Sequence, residues 1–146
     1  MREKIVHSAT GITIIGAGRS SVRQIARAVA LAPCVVAADG GGRTALAAGL
    51  MPEAIIGDMD SLSRGDWGKF PPERLHKIAE QDSTDFEKCL YSIDAPFVLA
   101  LGVTGSRLDH SLAAMNILTR QTEQPVLILT AHEVIFLCPP KLCLNL

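Results

Sequence analysis

Residues 34–61 read CVVAADGGGRTALAAGLMPEAIIGDMDS. The apolar run Cys34–Ala38 has the length and β-branched content of a buried strand, and it stops at Asp39-Gly40-Gly41-Gly42. An alanine-rich helix follows to about Ala48, with Gly49 as its C-terminal stop and Pro52 beyond. Ala54–Gly57 is a second apolar run, ending at Asp58-Met59-Asp60-Ser61. Strand, glycine turn, helix and strand within 28 residues make a βαβ unit, which requires a parallel sheet.

The pattern continues in both directions. Ile12–Ile15 reads as a strand that stops at Gly16-Ala17-Gly18. Ser20 or Ser21 then caps a helix with the stripe Val22, Ile25, Ala26 and Val29. Residues 61–74 read as an irregular loop with one helical turn, Leu75–Ala79 as a weaker strand and Ser83–Ile93 as a helix. Phe97–Leu101 is a strand. The stripe Leu108, Leu112, Met115 and Leu118 marks a helix over 107–120, and Val126–Leu129 and Val134–Leu137 are strands. Strands apolar on both faces, alternating with helices, predict an α/β fold: a three-layer αβα sandwich with a mainly parallel, Rossmann-like sheet.

Composition narrows the function. The 146 residues are 48% hydrophobic and 20% charged, with net charge −1. This excludes a disordered chain and gives no basic footprint for nucleic acid or a membrane surface. The N-terminal apolar run is too short for a span and lacks a signal-peptide cleavage site, so a cytoplasmic protein is expected. Cys34, Cys89, Cys138 and Cys143 have neither CxxC nor zinc spacing, and read as reduced thiols acting as small hydrophobes.

Ligands of parallel sheets bind at strand carboxyl ends, so the loops there carry the chemical reading. Asp58 and Asp60, taken as extended chain, point to one face; such a pair holds Mg²⁺ or is a solvated turn. Asp82 is expected to cap the next helix, with Asp85 near its positive end, and Lys88 one turn on forms a surface ion pair with Asp85 or reaches a phosphate. Gly40 and Gly41 allow close backbone approach to a ligand or simply make a tight turn, and Asp39 is a weaker polar candidate. Arg107 offers a fork for phosphate or carboxylate, Asp109 sits in a first helical turn, and His110 makes a helix-start hydrogen bond. The chain has no GxxxxGK[ST], and Gly16–Ser21 is a poor GxGxxG.

Three stretches, ADGGGRTALAAGLMPEAIIGDMDSL (38–62), QDSTDFEKCL (81–90) and LGVTGSRLDHSLAAMNIL (101–118), together resemble the thiamin pyrophosphokinase family. The resemblance implies a transfer of pyrophosphate from ATP to thiamin, giving thiamin diphosphate and AMP, with Mg²⁺. It implies that Asp58, Asp60 and Asp85 are metal-associated acids, and that these three with Lys88, Arg107 and Asp109 are catalytic. By the same token Asp39, Gly40, Gly41, Gln81, Asp82, Thr84, Ser106 and His110 are expected to bind nucleotide or substrate. Residues 1–131 become the ATP/Mg-binding catalytic domain. Residues 132–146 become the stub of a C-terminal β-rich domain that helps to form the thiamin site, usually across a homodimer. Thiamin is a flat two-ring cation that needs walls, and few aromatic residues fall in the candidate loops; Trp67 is the one near an acidic loop. A nucleotide-binding regulatory module without turnover and an NAD-binding Rossmann domain are the competing readings. The acidic trio favours a Mg²⁺–nucleotide over NAD, since bare carboxylates repel a pyrophosphate.

Overall fold

The computed structural model describes residues 3–105, 107–121 and 124–141, and of Arg64 the backbone. Seven strands form one sheet: β2 (Ile12–Ile15), β3 (Cys34–Ala38), β4 (Ala54–Gly57), β5 (Leu75–Lys77), β7 (Val98–Leu101), β8 (Val126–Leu129) and β9 (Val134–Phe136). Their order is β5-β4-β3-β2-β7-β8-β9, parallel throughout except for β9, which runs antiparallel to β8. A separate two-stranded parallel ribbon pairs β1 (Val6–His7) with β6 (Ile93–Asp94), a feature the sequence pattern had not announced.

Helices α1 (Val22–Leu31) and α2 (Gly41–Ala47) cover one face, and α4 (Asp85–Ser92) and α5 (Leu108–Arg120) the other. Every residue of β2, β4 and β7 is buried, as strands covered on both sides must be. Thr13, the polar exception on β2, donates its hydroxyl to the Ala32 carbonyl at the end of α1, 2.7 Å away. Beyond β4, Met59, Leu62 and Phe70 pack on Ala37 and Ile55. They tie the 58–70 segment, with its one-turn helix α3 (Arg64–Trp67), to the sheet.

Two helical faces differ from the expected stripes. In α1, Ile25 and Ala28 are buried, while Val22 and Ala26 are exposed. In α5 the buried residues are Ala114, Ile117 and Leu118; Leu108 is 71% exposed and Leu112 59%. Leu108, Asp109 and His110 at the start of α5 are exposed, and Leu112 one turn on is exposed as well. The actual contact face is built partly from alanines, which a search for large apolar residues passes over. Cys89 is buried and Cys34 half-buried, as small hydrophobes should be, but Cys138 is exposed; Cys143 lies outside the described residues.

Candidate active site

The chain runs from β2 leftward through β3, β4 and β5, then returns to place β7 on the other side of β2. The helices that follow β2 and β7 lie on opposite faces of the sheet, the arrangement at which open parallel sheets form their ligand crevice. A cleft of about 610 Å³ opens there, lined by residues from the 16–18, 58–61, 81–88 and 102–107 segments. Gly16 and Gly18 form its floor on the β2 side. A Cβ on either would come within 2.6 Å of the Gly102 carbonyl oxygen, so these glycines allow two backbones to cross. Sequence reasoning treated them only as a weak dinucleotide fingerprint; the signal available was two apolar strands each ending in glycine.

Asp58 and Asp60 are brought together differently from the extended pair expected. Met59 between them has φ 65°, and the Asp60 N–H donates to Asp58 Oδ1 at 3.2 Å. The carboxylates lie side by side because an Asx turn folds the chain back, not because a strand alternates. Gln81 then donates its amide to Asp58 Oδ2 at 3.2 Å, and Ser61 Oγ donates to Asp60 Oδ1 at 3.1 Å. Burial pushes the Asp58 carboxyl up. The Gln81 amide, the Asp60 N–H and the charge of Lys88 outweigh it and leave Asp58 below the ordinary carboxylate range.

Asp85 and Lys88 form a pair at the cleft wall. Lys88 Nζ lies 3.4 Å from Asp85 Oδ1, and the lysine side chain is 2% exposed. The expected surface ion pair thus joins a buried lysine to a half-buried aspartate. Asp85 Oδ1 also accepts the Asp58 N–H at 3.3 Å, which joins the two acidic loops. Gly57 makes this approach possible: a Cβ there would fall 2.8 Å from Asp39 Cβ and 2.9 Å from Asp85 Oδ1. Burial raises the Asp85 carboxyl, Lys88 opposes, and the charge of Asp58 adds to the rise. Thr84, not Asp82, caps α4, accepting the Glu87 N–H on its hydroxyl. Behind the pair, the Cys89 thiol donates to the Ala37 and Ile56 carbonyls; burial pushes its pKa far up, so it stays a neutral packing group.

Asp39 is 1% exposed and has φ 39°. Its Oδ2 accepts the Ser61 N–H at 3.0 Å. Burial raises its carboxyl, the Ser61 hydrogen bonds oppose, and the charges of Asp85 and Asp58 add to the rise. One carboxylate oxygen each of Asp39, Asp58 and Asp60 falls within 4.8 Å of the others. Gly40 lines the cleft, but Gly41 is buried against β2, where its role is packing. Arg107 is at the cleft rim with its fork already on Asp109, Nη2 to Oδ2 at 2.6 Å and Nε to Oδ1 at 3.2 Å. That pair holds the Asp109 carboxyl low. His110 is exposed on the same rim, and Ser106 lies outside the described residues. Trp67 is away from the cleft, its indole N–H on the Leu62 carbonyl at 3.2 Å.

The Gln81–Thr84 loop is shaped by Glu80, which the sequence had not singled out. Glu80 accepts from the Ser83 hydroxyl, the Asp82 and Ser83 N–H groups and the Tyr91 hydroxyl. The Ser83 hydroxyl first, with the other donors, holds its carboxyl down to about 2. Asp66, held by Lys69 and by its own capping box with Ser63, is also lowered to about 2. A carboxyl lowered by folding stabilises above its unfolded pKa, near 4, and that contribution vanishes as pH falls through the folded value. The melting temperature is therefore expected to drop between about pH 4.5 and 2. Glu80→Gln is expected to make that drop shallower; an unchanged acid limb by circular dichroism would refute the assignment.

A sequence model described as the thiamin pyrophosphokinase catalytic domain matches residues 25–129. Thiamine pyrophosphokinase 1 of Oryza sativa subsp. japonica is 31% identical over 100 residues, covering 60% of this chain and 38% of that protein. The chain thus spans well under half the length of that relative. The crystal structure of thiamin pyrophosphokinase from Geobacillus thermodenitrificans superposes with a TM-score of 0.67 at 30% identity, covering 82% of this chain and 59% of that one. The Bacillus subtilis thiamine pyrophosphokinase structure gives 0.74 at 23% identity, covering 90% and 65%; at that identity the likeness is one of fold. Among the described residues no helix is long and apolar enough to cross a membrane.

Proposed function

The chain belongs to the thiamin pyrophosphokinase catalytic-domain family, and from that premise we propose that it binds Mg²⁺–ATP in the cleft and passes the pyrophosphoryl group to thiamin, releasing AMP. One observation carries the reading: Asp58 and Asp60 from the loop after β4 and Asp85 with the buried Lys88 from the start of α4 line one cleft. The competing NAD reading gains nothing from Gly16 and Gly18, which serve a backbone crossing.

The donor set fits Mg²⁺. It is all oxygen and anionic, and its Asp58 and Asp60 line an open cleft, which leaves room for water and phosphate oxygens. Asp58 and Asp60 would hold the ion, with a third carboxylate from the buried flank, Asp39 or Asp85. Mg²⁺ supplies charge neutralisation for the polyphosphate. Lys88 offers an ammonium fixed by burial and by Asp85, so it meets phosphate charge without first being ordered. Gln81 orients Asp58, and Arg107 with His110 places cationic and donor groups at the rim. The transfer then rests on positioning and electrostatics, with the thiamin hydroxyl attacking the β-phosphorus. Residues 1–131 form the catalytic part of this reading, with 132–146 leading into a domain that walls thiamin. Cytoplasmic location and a homodimer belong to the same reading.

Incubation with ATP, Mg²⁺ and thiamin is expected to give AMP and thiamin diphosphate by mass spectrometry. ATP binding by calorimetry is expected to require Mg²⁺ and to weaken about tenfold or more in Asp58→Asn, because water replaces a charged ligand poorly. Equal ATP affinity with and without Mg²⁺, in wild type and variant, would leave Asp58 and Asp60 as a solvated turn.

A further inference from the structure

Glu80 is half-buried and does not line the cleft, whereas its neighbours Gln81, Ser83 and Thr84 do. Four donors converge on its carboxylate. Oε2 accepts the Asp82 N–H at 2.7 Å and the Ser83 N–H at 3.1 Å. Oε1 accepts the Ser83 hydroxyl and, at 3.0 Å, the Tyr91 hydroxyl. Two carboxylate oxygens offer about four lone-pair sites, so the group is matched to its donors. Tyr91 belongs to the last turn of α4, so the carboxylate ties the loop that opens this helix to the helix's far end. The next residue is anchored elsewhere: Gln81 donates its amide to Asp58 Oδ2 at 3.2 Å and to the Ala79 carbonyl at 3.4 Å. The segment is thus stretched between α4 and the loop after β4, with Glu80 as its rear attachment.

We propose that Glu80 is a positioning residue for nucleotide binding: its carboxylate holds the 81–84 wall of the cleft in its binding shape before a ligand arrives. The inference rests on the Mg²⁺–ATP reading above and adds to it a residue outside the cleft lining. Residues 81–84 belong to no helix or strand, so no ladder supports their backbone. Without the carboxylate, two N–H groups and two hydroxyls lose an acceptor. The wall then gains freedom that a ligand must remove on binding. A charged acceptor suits the task, because hydrogen bonds to an ionised group are about twice as strong as neutral ones.

The test compares Glu80→Ala, Glu80→Gln and Tyr91→Phe with wild type on the whole chain. Mg²⁺–ATP affinity is measured by calorimetry well below each melting temperature, and amide hydrogen exchange reads residues 81–84 without ligand. Glu80→Ala is expected to weaken Mg²⁺–ATP about tenfold or more and to speed exchange at Asp82 and Ser83 by a similar factor, with β2, β3 and β4 exchanging as in wild type. Glu80→Gln is expected to stay within about threefold of wild-type affinity, because its carbonyl oxygen can take both N–H groups while the two hydroxyls turn to accept from its NH₂. Tyr91→Phe keeps the acceptor but cuts its tie to α4, and a loss of about threefold is expected. If Glu80→Ala lowers the melting temperature but binds Mg²⁺–ATP like wild type, Glu80 is a structural acceptor and the inference falls alone. It falls equally if Glu80→Ala does not fold and Tyr91→Phe binds like wild type, or if Glu80→Gln loses as much affinity as Glu80→Ala. No Mg²⁺–ATP binding by wild type sinks the nucleotide reading and the inference together.

Discussion

Lys88→Met is expected to slow pyrophosphoryl transfer by about a hundredfold to a thousandfold, the loss typical of removing one fixed charge donor from a developing anion. Methionine fills the same channel, so packing around α4 is conserved while the ammonium goes. The lysine is 2% exposed, which means that no solvent cation can replace it in the folded protein. Lys88→Arg is not expected to rescue, because a planar guanidinium does not fit a niche shaped for a slim stem and a compact head. Removing the buried ammonium also strips the half-buried Asp85 of its counter-charge, and some stability falls with activity. The double variant Lys88→Met/Asp85→Asn separates the two effects. Its melting temperature is expected to recover toward wild type while transfer stays low, and recovery of both in the same assay would make Lys88 a structural group.

The second large effect is on the fold itself. Gly41→Ala is expected to destabilise the protein by about 3 kcal/mol, at the upper end of overpacking losses. That lowers the melting temperature by roughly 10 °C for a domain of this size. The added Cβ would sit 1.9 Å from the Ile15 carbonyl oxygen and 2.7 Å from its carbon. That neighbour is backbone at the end of the central strand β2, so it cannot turn aside as a side chain would. Gly49→Ala makes a useful contrast, because there the strain is conformational: φ is 76° and the added Cβ would meet nothing within 4 Å. A smaller loss is expected at Gly49. Calorimetric unfolding of both variants decides, and a Gly41→Ala protein as stable as wild type would show that α2 can move off β2.

Much of the architecture was legible because its signals are local. Cys34–Ala38 and Ala54–Gly57 are short apolar runs bounded by glycine or proline, and both became strands of the central sheet. The loops after them were recognisable as chemical because polar residues have no packing reason to gather at strand ends. The site's inner geometry was less legible, since it depends on separation across the sheet. Asp39 and Asp58 lie 19 positions apart, and only the pairing of Ala38 with Ile56 puts their loops together. Lys88 looked like a surface residue because its helix periodicity says which face it occupies, not whether the cleft floor closes over that face. Leu108 and Leu112 misled for the opposite reason: their spacing is helical, but both fall on the exposed face of α5. The β1–β6 ribbon joins two-residue segments 87 positions apart, too short to carry any pattern.

The return of β7 to the side of β2 has a consequence for how the chain is born. Strands β2, β3, β4 and β5 pair in the order in which they leave the ribosome, each beside its predecessor. The second edge of β2 must wait for Val98–Leu101, 86 residues behind its own partners Ile12–Ile15. Until then, a largely apolar strand offers unpaired N–H and C=O groups, the condition that invites wrong partners. Closing that long separation also carries one of the largest loop-entropy costs in the fold. The crossing of Gly16 with Gly102 forms at the same moment, and with it the cleft. The nascent protein therefore acquires its cleft only when that unpaired edge disappears, and a nucleotide bound there as proposed would hold the last-made joint shut.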